Sequence, residues 1–209
     1  MSSLQSAGYP AIFFDFDGVL VDSEPVHYDC WREILDGYGL DLDWKTYSEH
    51  GIGTSDRSLL AHVCRQTNPP FDVELLAAQY PRKKEMFRLR MLENPPFSNE
   101  VLELLRELQN YPLAVVTTSG LSEVEPILVH AGARDFFRAA VYGGDVKRHK
   151  PAPDPYLLAM ERLGAQAGLA IEDSDAGEAS ARAAGLDVLR IHAQSEMPAR
   201  LRKKLAAIG

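Results

Sequence analysis

The sequence predicts an α/β fold, a parallel sheet with helices on both faces, interrupted early by an all-helical insert. Three observations predict it. A short apolar run at residues 11–14 ends abruptly in Asp15-Phe16-Asp17-Gly18, as a buried parallel strand does at a turn. Residues 23–94 carry helical spacing and no strand pattern. From residue 98 onward short apolar runs alternate with helical periods, the pattern of strands joined by helical crossovers. The expected domains are a core of residues 1–22 and 95–209 and a helical domain of residues 23–94.

The elements follow in order. Residues 1–10 are small and polar and read as a frayed lead-in. Residues 23–37 read as a helix with Ser23 as N-cap, Pro25 in the first turn, and Val26, Cys30, Ile34 and Leu35 on one face. A short helix is expected at 44–50, then a glycine turn, Gly51-Ile52-Gly53, then a helix at 55–66. Asn68-Pro69-Pro70 ends it. Asp72 caps a further helix with Leu75, Leu76, Met86, Leu89 and Leu92, which Pro81 should kink or split. After Asn94-Pro95-Pro96 an amphipathic helix covers 98–110. Strands are expected at 113–116, 139–142, 169–171 and 188–191, and helices at 123–131, 154–163, 176–184 and 197–208.

Composition narrows the function. The chain has 209 residues, 45% of them hydrophobic, and a net charge of −8. That charge disfavours a nucleic-acid backbone as partner. An acidic protein that binds anionic esters must gather positive charge locally or recruit a cation. Cys30 and Cys64 lie in helical stretches without metal-binding spacing, so buried thiols are expected. No signal peptide and no run of eighteen apolar residues occurs, so no membrane partner and a cytoplasmic location are expected.

Four segments carry candidate chemistry. In open α/β sheets sites lie at the carboxyl ends of strands, where Asp15 and Asp17 fall. Two carboxylates one residue apart can divide the work of nucleophile or metal ligand and proton carrier; two solvated aspartates would look the same. Thr117, Thr118 and Ser119 follow the strand LAVV, where hydroxyls and free N–H groups can hold phosphate oxygens or cap a helix. Lys150, on the proline-stiffened segment KPAPDP, is a placed point charge; Asp154 can cap the next helix. Glu172 and Asp173 follow LAI. Adjacent acids repel unless something positive lies between them, and oxygen ligands suit Mg²⁺.

The segment DFDGVLVDSEPVH, residues 15–27, is similar to the first signature of the haloacid dehalogenase superfamily, in the subgroup of β-phosphoglucomutase and many small phosphatases. Thr117, Lys150 in KPAPD, and Glu172-Asp173 in EDS resemble the second, third and fourth signatures. The resemblance implies a Rossmann-like sheet with the first strand in the middle and a helical cap that closes over the rim. It implies Asp15 as nucleophile, Asp17 as proton carrier, and Thr117 and Lys150 as charge-neutralising groups. For the metal it implies Asp15, the Asp17 backbone carbonyl, Asp173 directly, and Glu172 directly or through water. Gly18, Ser23, His27, Thr118 and Ser119 become candidate substrate contacts. Asp175 is a possible further contact.

Two departures stand out. The family places glycine or another small residue before the lysine, where this chain has His149, with Lys147 and Arg148 close by. Phosphoglucomutases grip a second phosphate with a cap arginine; Thr54 stands there, and Arg57 lies one helical turn on. Lys83 resembles a cap lysine of the family, with Arg82 and Lys84 as competitors. The expected activity is a Mg²⁺-dependent phosphatase on a small phosphorylated metabolite, a sugar phosphate among the candidates, acting through an aspartyl-phosphate, in a chain working as a monomer. The alternatives are a β-phosphoglucomutase-type mutase and a non-catalytic phospho-ligand binder.

Overall fold

The computed structural model describes residues 8–52 and 54–208. Most of the lead-in, and Gly53 of the glycine turn, lie outside the described residues. Of the lead-in, Tyr9 is tied down, since its hydroxyl donates to Asp187 at 2.7 Å. Backbone contacts divide the chain into two units, Met1–Asp22 with Pro95–Gly209, and Ser23–Asn94.

The first unit holds a five-stranded sheet: β1 (Ile12–Phe14), β2 (Leu113–Val116), β3 (Ala139–Val141), β4 (Leu169–Glu172) and β5 (Asp187–Arg190). The order is β3-β2-β1-β4-β5, and every pairing is parallel. β1 is therefore central, as expected of a Rossmann-like sheet. Phe14 lies opposite Val115 on one side and Ile171 on the other. One step further along, the chain leaves the sheet at Asp15, Val116 and Glu172, so the site-bearing segments leave three adjacent strands at one level. β1, β2 and β4 are buried along their whole length, which is why they read as continuous apolar runs. β5 is an edge strand and is less buried, with Asp187 exposed and Leu189 inside.

The second unit is helical: α1 (Glu24–Asp36), α2 (Trp44–His50), α3 (Asp56–Arg65), α4 (Val73–Ala77) and α5 (Tyr80–Glu93). Its core gathers Trp31, Ile34, Leu35, Leu42, Tyr47, Leu59, Leu60, Val63, Cys64 and Leu76. Cys30 and Cys64 are free, buried thiols. Three local expectations change. Ser23 occupies the N-cap position of α1 but makes no side-chain cap hydrogen bond, because its own backbone is already helical. The break between α4 and α5 falls before Pro81, which then sits in the first turn of α5. There its missing N–H costs nothing. Leu75 and Leu89 face solvent, while Lys83 and Met91 are buried.

The first unit is completed by α6 (Asn99–Glu107), α7 (Leu121–His130), α8 (Asp154–Leu163), α9 (Asp175–Ala183) and α10 (Met197–Ala206). Small residues, Ala114, Ala139, Ala170 and Ala181, let α8 and α9 approach the sheet closely. Tyr156 of α8 meets Phe13 of β1 edge-on, ring centroids 6.3 Å apart. Asp154 does not cap α8. The cap position is Pro153, and Asp154 pairs with Arg148 at 3.0 Å instead. The ends of the helical excursion meet inside the first unit: the Asp22 N–H donates to the Pro96 carbonyl at 3.4 Å. Beside them Phe16 lies near-perpendicular to Phe97, centroids 6.4 Å apart.

Candidate active site

Asp15 opens the site. Its N–H donates to the Ile171 carbonyl at 3.1 Å, which holds it in line with β4. Its Oδ1 accepts from the Phe16 N–H at 2.7 Å and pairs with Lys150 Nζ at 3.1 Å. No donor among the described residues falls on Oδ2. The chain then turns sharply, with the Gly18 N–H on the Val21 carbonyl at 2.8 Å. Gly18 has φ +72°, and a Cβ there would stand 2.0 Å from Asp173 Oδ2. Glycine is required twice over, for the backbone conformation and for the close seat of Asp173.

Asp17 Oδ2 accepts a hydrogen bond from Ser119 Oγ at 2.9 Å. Thr117 is buried, and its Oγ1 accepts from the Ser119 N–H at 3.0 Å. The loop after β2 thus brings Ser119 to Asp17, with Thr117 holding the Ser119 backbone, while Thr118 is exposed.

Lys150 is the lysine of its segment that reaches the carboxylates; Lys147 and Arg148 are exposed. Its Nζ contacts Glu172 Oε1 at 2.7 Å, the Val116 carbonyl at 2.9 Å and Asp15 Oδ1 at 3.1 Å. Three acceptors match the three protons of an ammonium group. Burial favours the neutral amine, but the charges of Asp15 and Glu172 outweigh it and raise the pKa. His149 does not disturb this placement; its carbonyl accepts the Ala152 N–H at 2.8 Å in a turn.

Glu172 is fully buried. Burial, then the charge of Asp15, raise its pKa, opposed by Lys150 and by a hydrogen bond from the Tyr156 hydroxyl. Asp173 is pushed up to about 6, by burial first and by Asp15 second. Three carboxylates crowd against one ammonium, so the cluster carries excess negative charge.

That excess fits a divalent cation. Asp15, Glu172 and Asp173 each offer an oxygen, all within 4.8 Å of one another. The donor set is all oxygen, as Mg²⁺ prefers. Two glycines form the cradle: a Cβ on Gly18 would strike Asp173, and one on Gly177 would stand 1.9 Å from Glu172 Oε2. Asp175 does not join; it is exposed and pairs with Arg190 at 3.2 Å.

The remaining candidates belong to the helical unit, where two of them, Lys83 and His27, come together. Lys83 is buried, unlike Arg82 and Lys84. Its Nζ lies 2.7 Å from His27 Nδ1 and 3.2 Å from Asp56 Oδ2. An ammonium can only donate, so Nδ1 accepts and the imidazole proton sits on Nε2. His27 stacks on Phe87 at 4.0 Å, and Trp31 Nε1 donates to Asp56 Oδ1 at 2.8 Å. Ser23 is buried at the start of α1. Thr54 is exposed, and its hydroxyl is used on the turn, toward the carbonyls of His50 at 2.7 Å and Gly51 at 3.0 Å. Arg57 is paired with Glu74.

Sequence reasoning missed Tyr156, Asp56 and Arg190. A tyrosine on an amphipathic helix looks like core, and Asp56 looks like an acid in a first helical turn. Arg190 lies opposite Glu172 across the β4–β5 ladder. Its signal was its place in the final strand.

Comparison with known proteins agrees with this geometry. The family model of haloacid dehalogenase-like hydrolases matches residues 12–191. Fructose-1-phosphate phosphatase YqaB of Escherichia coli is 34% identical, over 88% of this chain and 96% of that protein. The crystal structure of CbbY from Rhodobacter sphaeroides in complex with phosphate superposes with a TM-score of 0.66 at 30% identity, covering 86% of this chain and 84% of that one. β-Phosphoglucomutase from Clostridium difficile shares the fold, with a TM-score of 0.67 at 20% identity over 95% of this chain and 98% of that one. With its motif-bearing segments on three adjacent strands and the family model spanning most of its length, the chain belongs to the haloacid dehalogenase-like hydrolases.

Proposed function

We propose that this hydrolase of phosphoric monoesters is a Mg²⁺-dependent phosphatase for a small sugar phosphate, working through an aspartyl-phosphate on Asp15. The observation that carries the reading is the convergence of Asp15, Lys150, Glu172 and Asp173 at one rim, with an unmet demand for positive charge. Asp15 Oδ2 is the attacking oxygen, since both of the donors on this carboxylate hold Oδ1. Attack on phosphorus forms the Asp15–phosphate bond and breaks the ester bond; Asp17 gives its proton to the departing alkoxide. A water molecule then attacks the same phosphorus, Asp17 takes back a proton, and phosphate leaves with Asp15 restored.

Ser119 orients Asp17 through the 2.9 Å hydrogen bond. Thr117 and Lys150 offset charge on the phosphoryl oxygens; the 3.1 Å contact of Lys150 to Asp15 is its longest and the one to be shared. Mg²⁺, held by Asp15, Asp173, Glu172 and the Asp17 carbonyl, would supply the positive charge that lets an anionic nucleophile approach an anionic ester. The helical unit is assigned the recognition of the sugar, with Ser23, His27, Thr54 and Lys83 the residues to substitute first. The engagement of Arg57 with Glu74, and Thr54 in place of an arginine, support a phosphatase over a mutase that must hold a bisphosphate.

The test is phosphate release from a panel of phosphorylated sugars, with Mg²⁺ and with chelator. Mg²⁺-dependent release from at least one sugar phosphate is expected. Release insensitive to chelator, or turnover only with an added bisphosphate and no free phosphate, would overturn the reading.

A further inference from the structure

Glu172 stands out among the three clustered carboxylates because its side chain is fully buried and its surroundings are specified on every side. Oε1 receives two donors, Lys150 Nζ at 2.7 Å and the Tyr156 hydroxyl. Oε2 lies against the backbone of Gly177, where a Cβ would be 1.9 Å away. Ser174 Oγ stands beside it at the marginal distance of 3.5 Å. Tyr156 is itself fully buried, fixed by its edge-on contact with Phe13 and by Lys150 Nζ, 5.3 Å from its ring centre. A tyrosine hydroxyl that deep in an α-helix facing a sheet costs desolvation unless it finds an acceptor. A phenylalanine would fill the same space without that cost, so the hydroxyl calls for a reason beyond packing.

We infer that Tyr156 is a positioning residue for the metal-binding carboxylates: by occupying Oε1 together with Lys150, its hydroxyl fixes the Glu172 carboxylate and leaves Oε2 as the oxygen with spare lone pairs. This rests on the reading of the Asp15–Glu172–Asp173 cluster as the Mg²⁺ site. Lys150 cannot do the task alone, because its three protons are divided among Glu172, Asp15 and the Val116 carbonyl. Without Tyr156, Oε1 keeps a single donor and the carboxylate can rotate about its last bond. Hydrogen-bond partners behind a metal ligand set its aim, and their loss typically weakens metal affinity about 10–100-fold.

The experiment is calorimetric titration of MgCl₂ alone into the metal-free protein, with no substrate. Tyr156→Phe keeps the ring and its packing, and is expected to bind Mg²⁺ about tenfold more weakly. Glu172→Gln weakens binding by itself, and adding Tyr156→Phe to it is expected to change nothing more, since the hydroxyl acts through that carboxylate. Phe13→Leu disturbs the same packing contact and is expected to leave Mg²⁺ affinity at the parent value. Parental affinity in Tyr156→Phe, an equal further loss in the double variant, or a matching loss in Phe13→Leu would overturn the inference. An unaltered chain that binds no Mg²⁺ would instead bring down the metal reading beneath it, a result visible before any variant is made.

Discussion

Each unit buries a lysine, and the two do so in opposite ways. The side chains of Lys150 and Lys83 are each 5% exposed. Lys150 is ringed by acceptors on the sheet rim, where three carboxylates exceed the one ammonium. Lys83 is balanced: one carboxylate, one imidazole nitrogen, and the rings of Trp31, Tyr80 and Phe87 around it. The first arrangement is electrically unfinished and the second is complete. An acidic cluster with charge left over differs from a lysine whose partners already balance it, and the charge count separates them.

Substitution tests that contrast, from the largest effect down. Asp15→Asn is expected to lower turnover by at least about 10³-fold. It also removes one of three mutually repelling carboxylates, so its Tm in chelator should equal or exceed the parent's. Phosphate-release kinetics and thermal melts check both halves; a lower Tm would mean the cluster is not overcharged. Asp56→Ala should do the reverse. It strands a buried ammonium and removes the acceptor of Trp31 Nε1, costing about 2–3 kcal/mol in urea unfolding. A stability equal to the parent's would show that Lys83 needs no carboxylate.

Metal and pH sharpen the same point. The folded-state pKa of Asp173 is raised to about 6, so the metal-free native state binds a proton more readily than the unfolded chain. Its stability should therefore fall as pH rises from about 4 through about 6. The proposed Mg²⁺ site takes the metal in its deprotonated form, so the gain in Tm on adding Mg²⁺ should grow over the same interval. Melts at pH 5 and pH 7, with Mg²⁺ and with chelator, measure it; a gain independent of pH would refute the assignment. The smallest effect belongs to Arg57→Ala. Its pair with Glu74 lies at the surface, side chains 61% and 64% exposed, and no resolvable change in Tm is expected.

The core was legible because its chemistry is local. β2 and α8 fall on their expected bounds, since a buried strand and a proline-fronted helix are announced by their own residues. Asp15, Glu172 and Asp173 could be named because each stands at the end of a strand, and the sheet register brings those ends together; Lys150 could be named from the proline-stiffened segment ahead of α8. The helical unit was less legible. The solvent-facing Leu89 and the buried Lys83 invert the usual pattern; the lysine is inside only because Asp56 and His27, distant in sequence, meet it there. Tyr156 escaped for a like reason: its partner is Glu172, on another element, and no spacing within α8 records the contact.

The junction at Asp22 and Pro96 has a consequence for how this architecture can vary. Where the polypeptide departs from the sheet and where it returns are already stapled by a backbone bond and two rings in edge contact. Whatever is spliced between them is a closed detour, and lengthening a detour adds only a slowly growing entropic cost. The catalytic layer is thus insulated from what is threaded through that gate, and a different module, or a bare turn, could be grafted there without re-registering a single strand.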